Sequence, residues 1–189
     1  MKIAVLVGSL RRGSLNKMLA QNLEVAAVKL APETEFEYMD INLPLFNQDL
    51  ETDFPAAATK LKQQIREADG VLIVTPEYNR SVPGVLKNAI DWSSRPAGDS
   101  AWRNKLVGVV GATPGLIGTA FAQGDVRRSL GFLNARVMAT PELYLSGADR
   151  VFGADGIAND EEQKFLADYA AAYLNFVTEN SQEQREVSQ

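Results

Sequence analysis

Nine consecutive residues, GSLRRGSLN at 8–16, combine residue types that suit phosphate binding. The two glycines let the backbone turn tightly and approach a ligand closely, and Ser9, Ser14 and Asn16 carry short hydrogen-bonding side chains. Arg11 brings a guanidinium group that suits two-point contact with phosphate oxygens. The segment lacks both the lysine of a P-loop and the G-x-G-x-x-G spacing of a dinucleotide site. We therefore predict a site for a single terminal phosphate; the alternative is a solvated strand–helix turn with a serine cap.

A second segment, PEYNRSVPGVLKNAIDW at 76–92, directly follows an apolar run typical of a buried strand. Pro76 holds the preceding residue extended, Tyr78 offers an aromatic face, and Asn79 and the neighbouring backbone N–H groups offer hydrogen bonds. A flat heteroaromatic ring requires this combination of a face and an edge. The alternatives are a surface tyrosine and, for Glu77, a capping or surface acid.

A third segment, GATPGLIG at 111–118, follows another apolar run. Three glycines and Pro114 make a loop that side chains do not obstruct, so that it can lie along the edge of a ring. Glycine-rich turns are common after strands, and an ordinary turn is the alternative.

The chain has no cysteine and no histidine. It therefore cannot assemble a thiolate nucleophile, a Ser-His-Asp triad or a Cys/His zinc site. A carboxylate–magnesium phosphatase would require an acidic cluster at the strand ends, where serine, arginine and tyrosine stand instead. If the protein is an enzyme, a bound organic cofactor must carry its chemistry.

Length and charge narrow the class of protein further. The 189 residues are 46% hydrophobic, which predicts one globular domain, and the net charge of −5 argues against nucleic-acid binding. We expect a single domain over 1–180 and a polar tail at 181–189. The first apolar run is too short for a signal peptide, and none reaches the roughly 20 residues of a membrane span. These patterns predict a cytoplasmic protein without a membrane span.

The elements that must position the three segments alternate along the chain. Apolar runs predict strands, and helical periodicity predicts a helix after each of them. The predicted strands are 2–7, 34–39, 70–75, 105–111 and 135–139. The predicted helices start near 15, 83, 118 and 160, and a further one, the second along the chain, is marked by apolar positions over 61–68. In the last helix the expected buried stripe is Phe165, Tyr169, Tyr173 and Phe176. The alternation predicts an α/β, doubly wound, five-stranded parallel sheet of flavodoxin-like order 2-1-3-4-5, with helices on both faces. The first two segments then meet at its switch point, between strands one and three.

In order and spacing, the three segments resemble the NADPH-dependent FMN reductase family, most closely its quinone and chromate reductase branch. The resemblance extends from Met1 to about Val177 and implies a flavodoxin-like fold that binds FMN. It implies that FMN N5 accepts hydride from NADPH or NADH and passes two electrons to a quinone, or to chromate, an azo compound or a nitro compound. By this resemblance the phosphate would be held by Ser9, Arg11, Ser14, Leu15 and Asn16. The ring and ribityl chain would contact Pro76, Glu77, Tyr78 and Asn79, and the third segment would border the ring through Thr113, Pro114 and Gly115.

Two further inferences concern the surroundings of the site. Arg80 or Arg12 is expected to attract the phosphates of NAD(P)H or an anionic acceptor; the alternative is a solvated surface arginine. The resemblance also implies a homodimer or homotetramer, for which Trp92 and Trp102 are candidate interface residues and equally candidate core residues.

Two other functions remain open from the sequence. A flavodoxin-type electron carrier shares the fold and the cofactor but is normally more acidic around the flavin than a chain with three arginines there. A regulatory protein without flavin can use the same fold, since a fold alone does not fix function.

Overall fold

The computed structural model describes the backbone of residues 1–187 and the side chains of residues 1–181. The strands are β1 (Lys2–Val7), β2 (Glu35–Tyr38), β3 (Gly70–Val74), β4 (Leu106–Ala112), β5 (Arg136–Val137) and β6 (Leu143–Leu145). The helices are α1 (Leu15–Leu30), α2 (Ala56–Glu67), α3 (Gly84–Ser93), α4 (Ala120–Phe132), α5 (Ala148–Val151) and α6 (Asp160–Val187), with a 3₁₀ turn at Gln48–Thr52.

The strands form one parallel sheet in the order β2-β1-β3-β4-β5. Every residue of β3 and β4 is buried, because helices cover both faces of the sheet. One core lies between the sheet and helices α1 and α6, and the other lies beneath α2, α3 and α4. The predicted flavodoxin-like architecture is confirmed.

The far edge of the sheet differs from the prediction of one strand at 135–139. Two short strands pair with β4 there: β5 lies beside Leu106–Val107 and β6 beside Val110–Ala112. Pro141 lies between them and has no N–H to donate to a ladder. β6 was missed because it is only three residues long, and it proves important for the site.

Trp92 and Trp102 are core residues of the chain, both with no exposed surface. The Trp92 ring packs edge-on against Phe46 and Phe54, with 4.9 Å between ring centroids in each pair. The Trp102 Nε1–H donates to Ser93 Oγ over 2.8 Å. Of the two alternatives for these tryptophans, the structure therefore selects the core.

Helix α6 begins after Asn159, whose Oδ1 accepts from the Glu162 N–H over 3.1 Å. Tyr169 and Tyr173 are buried as expected, but Phe165 is 47% exposed and Leu166 takes the buried position. Phe176 is likewise only half-buried, and Val177 is buried beside it. One helical residue turns the side chain by about 100°, so the two ends of the predicted stripe were placed one position too early. Helix α6 continues to Val187, and side chains beyond 181 lie outside the described residues, so the separate tail at 181–189 remains a prediction.

Candidate functional site

The three predicted segments meet at the carboxyl ends of β1, β3 and β4. We call them the first loop (8–14), the second loop (75–83) and the third loop (113–119). Glycine is required where they converge: a Cβ on Gly8 would lie 3.2 Å from Pro76 Cδ, and one on Gly111 would clash with the Thr75 carbonyl oxygen. The bases of the three loops are thus in mutual contact, as the switch-point prediction requires.

The first loop leads into the N-terminus of helix α1. Ser14 is buried and its Oγ caps α1 by accepting from the Lys17 N–H over 3.3 Å. Within the described part of the chain, the N–H groups of Arg12, Gly13 and Ser14 have no hydrogen-bond partner. The Arg11 and Arg12 side chains are exposed beside them. Free N–H groups at a helix N-terminus, next to guanidinium groups, form an anion-binding site. The observed serine cap thus leaves these N–H groups free, and the phosphate site remains a prediction.

Asn16 lies just inside this helix and is only 3% exposed. Its Nδ2 donates to the Ala112 carbonyl oxygen and its Oδ1 accepts from the Ala112 N–H, both over 2.9 Å. The amide thus imitates a neighbouring strand and fixes α1 to the end of β4, while the neighbouring Leu15 is half-buried against the α1–α6 core. The predicted contact of these two residues with a phosphate remains a prediction.

The second loop is a two-residue hairpin turn. Tyr78 and Ser81 exchange backbone hydrogen bonds of 3.2 and 3.1 Å, and Asn79 (φ 52°) and Arg80 (φ 63°) occupy the left-handed region between them. Two such residues in succession are typical of a type I′ turn. The Tyr78 side chain is half exposed, so its ring is available to a ligand. The N–H groups of Glu77 and Asn79 are free of partners among the described residues, whereas that of Tyr78 is engaged in the hairpin.

Glu77 connects the second loop to α4. Its Oε2 accepts from the N–H groups of Phe121 over 2.9 Å and of Ala122 over 3.1 Å, and its side chain is only 10% exposed. Thr119, at the N-cap position of α4, makes no side-chain capping bond. The carboxylate of Glu77 takes that role, so the capping alternative considered for this residue is the one observed.

Arg80 lies over the same end of α4 instead of extending freely into solvent. Its Cζ is 5.4 Å from the centroid of the Phe121 ring, and its Nη1 is 3.9 Å from Glu77 Oε1. Its side chain nevertheless remains 64% exposed. The guanidinium group is therefore held at the rim of the site with part of its surface open to an incoming anion.

The third loop is positioned by β6, the strand that the sequence did not reveal. The Thr113 N–H donates to the Leu145 carbonyl oxygen over 2.9 Å, and the Gly147 N–H donates to the Gly115 carbonyl oxygen over 3.2 Å. Inside the loop, the Gly115 N–H donates to Thr113 Oγ1 over 3.2 Å. Pro114 and Gly115 are consequently held exposed at the end of the sheet.

Tyr144 is a neighbour of the third loop that sequence reasoning did not single out. It lies on β6 opposite Gly111, and its hydroxyl donates to Glu142 Oε1 over 2.6 Å. Burial and this hydrogen bond raise the pKa of Tyr144 above its usual value. The hydroxyl of Tyr144 is therefore already engaged with Glu142 beside the third loop.

The fold defines an α/β protein of the flavodoxin-like class, in which a helix N-terminus and two further loops lie together at the carboxyl ends of the strands. A model of the NADPH-dependent FMN reductase family matches residues 1–150. The chain belongs to that family.

Individual relatives agree with this assignment. A 2-hydroxy-1,4-benzoquinone reductase of Burkholderia is 47% identical over 180 residues, which cover 94% of this chain and 96% of that protein. A quinone reductase of Pseudomonas putida is 45% identical over 181 residues, covering 94% and 95%. Among solved structures, the flavoenzyme NAD(P)H:(acceptor) oxidoreductase FerB of Paracoccus denitrificans is 40% identical with a TM-score of 0.87, covering 95% of this chain and 98% of that one.

The family assignment confirms four sequence-based expectations: the family itself, an oxidoreductase, FMN as the cofactor and NAD(P)H as the electron donor. It argues against both alternatives, the electron carrier and the flavin-free regulator. Among the residues that the structure describes, no helix is both long and apolar enough to cross a membrane.

Proposed function

We propose that this protein reduces quinones with electrons from NADPH or NADH, using FMN held by the three loops. The observation that carries the proposal is the set of N–H groups of Arg12, Gly13 and Ser14, which have no partner among the described residues and lie beside exposed Arg11. The base of this loop, at Gly8, packs against Pro76 at the base of the loop that offers an aromatic face. That donor set fits a phosphate monoester better than any other part of FMN. Relatives with close to half their residues identical are named quinone reductases, which supports the acceptor class.

In this proposal the first loop binds the phosphate through Ser9, Arg11 and the α1 N-terminus. Tyr78 and the free N–H groups of Glu77 and Asn79 face the ring and ribityl chain, and Pro76 sets the direction of that loop. The third loop, through Thr113, Pro114 and Gly115, borders the ring from the opposite side. When bound there, FMN would supply an acceptor for hydride from the nicotinamide, at N5, and would pass the two electrons to the quinone; the protein supplies position and charge.

The finer parts of the proposal concern substrates and assembly. Arg12 and Arg80 attract the phosphates of NAD(P)H, because both guanidinium groups are exposed at the rim of the site. Chromate, azo and nitro compounds are further acceptors, and the protein works in the cytoplasm as a homodimer or homotetramer.

A visible absorption spectrum of the purified protein tests the proposal directly. We expect flavin bands after FMN is added, bleaching on addition of NADPH without any partner protein, and recovery of the bands when a quinone follows. Bands that NADPH does not bleach would indicate an electron carrier, and a spectrum unchanged by FMN would overturn the cofactor site.

A further inference from the structure

The second loop is docked on α4 by three side-chain contacts. Glu77 accepts from the first N–H groups of the helix, Arg80 lies over the Phe121 ring, and Ser81 Oγ is 2.5 Å from Asp125 Oδ2. Positions 121, 122 and 125 are neighbours on one face of the helix, because residues four apart are stacked one turn apart. The hairpin turn therefore rests along the first turn and a half of α4.

This docking also connects the second loop to the third, because the third loop runs directly into α4. Thr119, the last residue before the helix, is fully buried and left-handed at φ 67°, and it gives no capping bond. The carboxylate of Glu77 supplies that bond from a distance of 44 residues along the chain. A single side chain thus joins the two loops that would enclose the ring.

The hairpin requires such an anchor. Arg80 is a non-glycine residue at positive φ, a conformation that costs about 1 kcal/mol or more for an ordinary L-residue. Its contacts with Phe121 and Glu77 offset that cost. Without Glu77, the turn would lose one of its three contacts with α4 and the acidic partner of Arg80.

We propose that Glu77 is a positioning residue for the flavin ring. Its carboxylate does not meet the ring; it fixes Tyr78 and the free N–H groups of the second loop relative to the third loop. Because it fills the N-terminus of α4 with an internal negative charge, it also keeps that helix end from competing with α1 for the FMN phosphate. This inference rests on the proposed function.

Three substitutions separate the parts of this role. Glu77→Ala removes the cap, Glu77→Asp keeps the charge but shortens the reach, and Glu77→Gln keeps an oxygen at the right distance without the charge. Glu67→Gln is the matched control. Glu67 is an exposed acid at the end of α2 and lies near Lys2, at the amino ends of the strands, whereas the three loops lie at the carboxyl ends.

Binding of FMN and of riboflavin to the apo-protein, followed by fluorescence quenching, is the first measurement. We expect the Kd of both ligands to rise about tenfold in the Ala and Asp variants and less than about threefold in the Gln variant, as for loss of a charge-assisted hydrogen bond. Equal effects on FMN and riboflavin are expected, because the substitutions disturb the second loop, which would contact the ring, and not the first loop, which would bind the phosphate. The control variant should bind like the wild type.

Two further measurements separate positioning from a general loss of stability. Amide hydrogen exchange in the apo-protein should accelerate at the start of α4 in Glu77→Ala, and the absorption maximum of bound flavin should shift because Tyr78 is no longer held. A purely structural role would lower the melting temperature and leave the spectrum of bound flavin unchanged.

The outcomes distinguish this inference from the function on which it rests. Suppose that the flavin bands of the wild-type protein are bleached by NADPH and restored by a quinone, whereas Glu77→Ala binds flavin with an unchanged Kd and an unchanged spectrum. The positioning role is then wrong and the function stands. If wild-type protein does not bind FMN, the proposed function and the positioning role both fail.

Discussion

The first and second loops lie side by side at the end of the sheet but are built in opposite ways. The first loop is open: the N–H groups of Arg12, Gly13 and Ser14 are unpaired among the described residues, and its arginines are exposed. The second loop is closed on itself by a hairpin and tied to α4 by Glu77, Arg80 and Ser81. Each construction suits the part of the ligand that it would meet.

A phosphate is charged and nearly symmetric, so exposed donors of opposite charge suffice to bind it. A flat ring that reacts at one atom has to be held at a defined distance and angle, which requires a surface that is fixed before binding. In the proposed function, the first loop therefore contributes affinity and the second contributes geometry. Each loop can be disturbed separately to test this division.

The largest effect is expected at Asn16, the buried residue in the first turn of α1, directly after the first loop. Asn16→Ala would leave the N–H and the carbonyl of Ala112 buried without partners, at a cost of about 2–4 kcal/mol in the free energy of unfolding. Denaturant unfolding monitored by circular dichroism measures it. Asn175→Ala, at an exposed position of α6, is the control. A loss for Asn16→Ala of less than about 0.5 kcal/mol would show that the connection to β4 is dispensable.

The next largest effect is expected when a positive charge of the first loop is removed. Arg11→Ala should raise the Kd of FMN about tenfold, as expected for a charge-assisted contact with phosphate, and leave that of riboflavin unchanged. Arg12→Ala, one residue away and equally exposed, should change neither Kd and raise the KM for NADPH. Both flavins would be titrated into the same apo-protein. Parallel losses for FMN and riboflavin in Arg11→Ala would contradict a phosphate role.

The smallest effect is expected at the rim of the second loop. Arg80→Ala should raise the KM for NADPH about three- to fivefold, because a largely exposed charge contributes up to about 1 kcal/mol. Steady-state kinetics at low ionic strength gives the clearest signal, and added salt should reduce the difference. Arg103→Ala, exposed at the opposite end of β4, is the matched control. An unchanged KM in Arg80→Ala would remove this arginine from the donor site.

The chain's local patterns were sufficient to predict most of the architecture. Apolar runs such as GVLIV at 70–74 predict buried parallel strands, because only strands covered on both faces are apolar throughout. The alternation of strands and helices then leaves few possible strand orders. For the same reason, the polar loops after β1 and β3 were predicted to meet, and they do.

The sequence by itself determined the strand order, and with it which loops meet at the end of the sheet, and its motifs were sufficient to identify the family and its cofactor. Only the tertiary structure decided what individual side chains do there. Asn16 bonds Ala112 across 96 residues, Glu77 caps a helix 44 residues away, and three-residue β6 positions the third loop. These contacts join residues that are far apart in the sequence, so no periodicity or spacing in the sequence predicts them. The two tryptophans illustrate the same limit, since a large apolar ring fits a core and an interface equally well until the packing around it is known.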